Sequence, residues 1–140
     1  MTAPALADWK EARAPSLDEF AALAAAAFAE LPDAFRRLTG EVVFRVDDFA
    51  DEAVLEDLGI EDPFELTGLY QGVDLAHRSM FDPSPEPARV FLYRRPILDE
   101  WAERGEVSLG ELIAHVLVHE IGHHFGLSDG DIDAIEAAVD

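Results

Sequence analysis

The 140 residues predict a single domain of the α+β class, helices mixed with a few short strands. Three observations carry that expectation. Two stretches, after Ser16 and after Ser108, place apolar residues at helical spacing behind capping boxes. Three short runs rich in β-branched and aromatic residues read as strands. About half of the chain is apolar (49%), enough for a core without disulfides, which a chain with no cysteine cannot form.

The elements follow in order. Residues 1–15 contain Pro4 and Pro15 and no apolar period, so they are expected to form a flexible N-terminal arm, leaving 16–140 as the domain. Ser16 and Glu19 are spaced as a capping box, in which hydroxyl and carboxylate each satisfy a backbone N–H of the other. Phe20, Leu23, Ala24, Ala27, Phe28 and Leu31 then form one apolar stripe, and Pro32 ends the pattern. Residues 41–47 read as a strand, 50–58 as a short helix, and Asp62-Pro63 as a break. Residues 69–75 form a second expected strand. Pro83, Pro85 and Pro87 make the next stretch a loop, because alternate prolines supply no ladder donors. Residues 89–94 are the third strand, closed by Pro96, and 97–104 a short helix ending near Gly105. Ser108 and Glu111 open the most apolar helix, which runs to about Phe125 with Gly126 as its stop. Residues 130–139 are expected to form a last short amphipathic helix.

Charge narrows the function. Thirty acidic residues against ten basic ones give a formal charge of −20. Such a surface repels phosphate backbones and anionic headgroups, which argues against nucleic-acid and membrane partners. The first residues carry no positive targeting region, and the apolar stretch Ala21 to Ala29 falls far short of the roughly 20 residues of a membrane span. The expectation is a soluble cytoplasmic protein, a monomer or small homo-oligomer.

The chemistry lies in the second long helix. His119 and His123 are four apart, so their imidazoles leave one helix face a turn apart and can reach one zinc ion at roughly 2.0–2.1 Å. Glu120 points about 100° further round, too far to chelate easily but near enough to hydrogen-bond a water held by the metal. Gly126 can take the left-handed conformation that turns the chain back beneath the helix, bringing Asp129 round as third ligand. Glu136, on the following helix, is the alternative third ligand. An unpaired glutamate inside an apolar helix would otherwise be costly, which weighs against a purely structural histidine pair. His115, one turn earlier, reads as a partly buried structural histidine, and His124 as a residue beside the site or at the surface. His77 carries no motif. The run Asp129, Asp131, Asp133 resembles the start of a calcium loop, but Ala134 stands where such a loop needs glycine.

At these residues the chain resembles the zincin metallopeptidases, and specifically the small bacterial family called minimal zincins, which carry His-Glu-x-x-His-x-x-Gly-x-x-Asp near the C-terminus. The matching residues are 119–129, with weaker likeness at 68–72 and 92–98. The resemblance implies a small mixed sheet above the active-site helix, with zinc bound by His119, His123 and Asp129. It also implies hydrolysis of peptide bonds in a peptide or protein substrate. In that chemistry a zinc-bound water attacks the carbonyl and Glu120 is the general base. Unlike the larger metzincins, the chain has aspartate as third ligand and no methionine after the motif. Tyr70, Tyr93, Arg94 and Arg95 are candidates to stabilise the oxyanion, and no substrate-binding residue is singled out. A zinc-stabilised binding or regulatory module without turnover is the competing expectation. A peptide deformylase would require a cysteine ligand.

Overall fold

A computed structural model describes residues 10–39, 42–72, 87–128 and 130. Its order is α1 (Leu17–Ala29), α2 (Asp33–Leu38), β1 (Val43–Asp47), α3 (Glu52–Leu58), a 3₁₀ turn (Pro63–Glu65), β2 (Gly68–Gln71), β3 (Arg89–Tyr93), α4 (Arg94–Arg104) and α5 (Leu109–His124). The sheet order is β1-β3-β2, with β3 parallel to β1 and antiparallel to β2. The α+β composition and the small mixed sheet expected from the sequence are both present.

Both serines cap their helices, and the first of the two expected boxes is complete. Ser16 Oγ accepts from the Glu19 amide at 3.2 Å and Glu19 Oε1 accepts from the Ser16 amide at 3.0 Å, a complete box. Ser108 Oγ accepts from the Glu111 amide at 3.1 Å. Each such cap is worth about 1 kcal/mol.

Strand alternation divides the core in two. Val90 and Leu92 of β3 point to one face, where they meet Phe20 and Ala24 of α1 and Leu112, Ile113, Val116, Leu117 and Ile121 of α5. Burying each large aliphatic side chain there contributes about 1.5–3 kcal/mol. Phe91 and Tyr93 point to the other face, where α3 covers them with Leu55, beside Leu66 and Leu69.

Three features depart from the expectations. Helix α2 was not foreseen: Pro32 ends α1 but also stands as the N-cap of a new helix, with Asp33 in its first turn beside Arg36. Helix α4 starts at Arg94, directly after β3, and not at Ile97. Pro96 lies within its first turn, where a missing N–H breaks no helical bond, so the proline permits the helix instead of ending the strand. The second strand ends at Gln71. The expected final helix and most of the arm and proline loop fall outside the described residues.

Arg94 fixes the start of α4. Its Nε donates to Asp48 Oδ1 and its Nη1 to the Pro15 carbonyl, each at 2.7 Å. Trp101 Nε1 donates to the Val107 carbonyl at 2.9 Å, tying α4 to the turn that leads into α5. Among the described residues no helix is long and apolar enough to cross a membrane.

Candidate metal centre

Helix α5 presents adjacent rows of side chains, each stepping by four residues. Leu112, Val116, Glu120 and His124 form a buried row against the sheet, and Ile113, Leu117 and Ile121 a second buried row. The row of His115, His119 and His123 lies at the helix margin. His115 is exposed, while His119 and His123 are half-buried. The expected partly buried His115 is therefore corrected: its side chain leaves the helix to one side of the buried row of Leu112, Val116 and Glu120. The two remaining imidazoles meet edge to face, with ring centroids 5.0 Å apart.

His119, Glu120 and His123 open into one cavity of about 670 Å³. Its apolar side is formed by Leu58, Leu66, Leu69 and Leu127, and Gly68 and Tyr70 of β2 also line it. Glu120 is only 9% exposed, so its carboxylate belongs to the cavity and not to the outer surface.

The turn after α5 bears on one histidine's tautomer. Gly126 has φ +81°, a left-handed conformation that a Cβ disfavours. The Leu127 amide donates to the Gly122 carbonyl and the Gly126 amide to the His123 carbonyl, both at 3.0 Å, the pair of bonds of a Schellman turn. This carries the Leu127 carbonyl back under His123, 3.2 Å from Nδ1. A carbonyl can only accept, so this contact favours the imidazole form with the hydrogen on Nδ1.

Strand β2 presses on the same helix. A Cβ built on Gly68 would lie 2.7 Å from Val116 Cγ1 and 3.2 Å from both Glu120 Cγ and the Phe91 carbonyl oxygen. Glycine is what allows the strand to run this close. Two residues along, the Tyr70 hydroxyl lies 2.9 Å from Nδ1 of His124. A two-residue step along a strand covers about 6.7 Å, and the four-residue step from Glu120 to His124 about 6.0 Å. The strand and helix thus keep pace over this span. His124 is 1% exposed, which settles its expected position in favour of the buried one, beside the site.

The candidates for oxyanion stabilisation separate. Tyr70 lines the cavity. Tyr93 is buried on the opposite face of the sheet, and Arg94 is committed to Asp48 and Pro15. Arg95 is exposed and forms no part of the cavity wall. Nothing in the residue types distinguished the four. Their separation depends on which face of β3 is covered and on where α4 begins.

Burial pushes the Tyr93 hydroxyl up to about 12, with the charges of Asp47, Asp51 and Glu120 adding to the effect. The protein has two tyrosines. A spectrophotometric titration of wild type against Tyr93→Phe should assign a phenolate transition near pH 12 to Tyr93. An ordinary value near 10 would contradict the burial argument. Because the unfolded chain releases this proton first, the folded state loses stability as pH rises from about 10 to about 12, and none from this group below that window.

The donors suit zinc. A cysteine-free chain offers nitrogen and oxygen ligands, and two imidazoles four apart on one helix are a zinc-type pair. Among the described residues no third ligand-type side chain joins them to complete a set of three. Asp129 and Glu136, the two expected third ligands, lie outside the described residues, as does His77. A family model described as zincin-like metallopeptidase matches residues 39–139. Comparison with curated proteins found no match.

Proposed function

The chain belongs to the zincin-like metallopeptidase family, and from that premise we propose that it hydrolyses peptide bonds, with zinc held by His119, His123 and Asp129 and with Glu120 as general base. The observation that carries this reading is the shared cavity. His119, Glu120 and His123 face one space beside a strand that has a pairing partner on only one side among the described residues.

Zinc bound there supplies Lewis-acid polarisation of the scissile carbonyl and lowers the pKa of water to about 7. The protein's own groups do the rest. Glu120 takes a proton from the attacking water and delivers it to the leaving amine nitrogen. The Leu127 carbonyl favours the His123 tautomer that offers Nε2. The outer edge of β2 offers main-chain groups to an extended substrate, and the four leucines of the cavity favour apolar side chains beside the cleaved bond.

Elemental analysis of the purified protein should find about one zinc per chain. Cleavage of a broad peptide library should stop on chelation and return when zinc is restored. Zinc-loaded protein that cleaves nothing, and that unfolds when the metal is removed, would instead be a zinc-stabilised binding module.

A further inference from the structure

A second cavity, of about 360 Å³, opens on the face of the sheet turned away from α5. Arg45, Arg89, Asp47, Asp51, Phe91 and Tyr93 are among its lining residues. Opposite charges share this small space without neutralising one another. Among the described residues none of the four charged side chains forms an ion pair or a hydrogen bond. Asp51 is the N-cap of α3, yet its carboxylate makes no capping bond. Tyr93 is only 2% exposed, and its hydroxyl has no hydrogen-bond partner among the described residues. A buried hydroxyl normally finds one.

We infer that this cavity binds a dipeptide with both termini free, its ammonium at Asp47, Asp51 and the Tyr93 hydroxyl, its carboxylate at Arg45 and Arg89. The strand register supplies the spacing. Asp47 stands opposite Tyr93, and Arg45, opposite Phe91, is one two-residue step back along the same face. That step covers about 6.7 Å, and two extended residues span at most about 7 Å. A free amino acid carries both charges on one carbon and is too short to reach both ends. Arg89 lies a further step back on β3, so the two guanidinium groups belong to one end. An ammonium group has three N–H donors, and Asp47, Asp51 and Tyr93 offer it three acceptors. Between the ends, the rings of Phe91 and Tyr93 lie nearly parallel, 14° apart with centroids 6.1 Å from each other, as a floor for the peptide. On a chain of formal charge −20, a plain anion is repelled by the aspartate end, and a zwitterion is not.

The test is calorimetric titration of zinc-loaded full-length protein with alanyl-alanine, with acetohydroxamate at saturation to occupy the metal. One dipeptide per chain should bind. N-acetylation or C-amidation of the probe should weaken it at least about 10-fold, the scale of a lost hydrogen bond to a charged group. Arg45→Gln and Asp51→Asn should do the same, with zinc content unchanged. Arg45 is exposed, and asparagine caps a helix as well as aspartate does, so both variants should fold. Tyr93→Phe removes only an unpartnered hydroxyl, so it should melt no lower than wild type while binding the dipeptide about 3–10-fold more weakly. Absence of saturable binding, or binding that survives both Arg45→Gln and Asp51→Asn, overturns the inference and leaves the peptidase reading intact. Alanine or acetate binding as tightly as the dipeptide overturns it as well.

Discussion

Glu120→Gln should keep its zinc and lose about 10²–10⁴-fold in peptide hydrolysis, the range that a positioned general base contributes. Glutamine matches glutamate in shape and can still accept a hydrogen bond, so the packing of the buried row on α5 is preserved. What it lacks is a lone pair basic enough to take a proton from water. Metal retention follows from geometry: position 120 lies on the row facing β2, one step round from the histidines. Elemental analysis and library cleavage on the same preparation check both halves. A variant that loses the metal would make Glu120 a ligand. One that turns over as fast as wild type would remove it from the chemistry.

The second large effect is expected at Gly68. Substitution by alanine at an unstrained strand position normally stabilises by about 0.4–1 kcal/mol, through the unfolded chain. Here the clash should win. The nearest atom to the added Cβ, at 2.7 Å, is Cγ1 of Val116, and a valine within a helix has one strongly preferred rotamer. The Phe91 carbonyl, at 3.2 Å, belongs to the paired strand and moves only with the sheet. Overpacking of this kind costs about 1–3 kcal/mol, roughly 3–12 °C in Tm for a domain of this size. The third neighbour is Cγ of Glu120, so hydrolysis should fall further than stability, even at temperatures where the variant is fully folded. Thermal melts and cleavage rates of Gly68→Ala and Gly68→Val, with valine the worse, check this. An alanine variant as stable as wild type would show that strand and helix have room to separate.

Much of the site was legible because its determinants are local. Ser108 marks the start of α5 and Gly126 its end, and the interval between His119 and His123 is a property of any helix. What the helical period could not supply is which way the helix faces. Spacing places His115, His119 and His123 on one line without saying that the first is exposed and the other two half-buried. It likewise sets Glu120 and His124 on one row without saying that a strand lies over it. Tyr70 reaches His124 from 54 residues away, a separation that no local pattern encodes. The need for glycine at position 68 comes from the closeness of Val116, on an element far away in sequence. The same limit explains α4. A proline after a strand reads as a stop, and only the direction in which Arg94 is anchored shows that a helix has already begun.

The Schellman turn at Gly126 bears on how the domain is assembled. His119, His123, Gly126 and Leu127 lie within nine consecutive positions, so the two imidazoles can meet a metal ion before any strand is in place. A helix is limited by its first turn, whose nucleation is unfavourable by a factor of about 10⁻³. Zinc spanning two positions four apart restricts the backbone over one such turn. A metal ion held by His119 and His123 would therefore favour α5 locally, whereas the contact of Tyr70 with His124 requires the docked sheet.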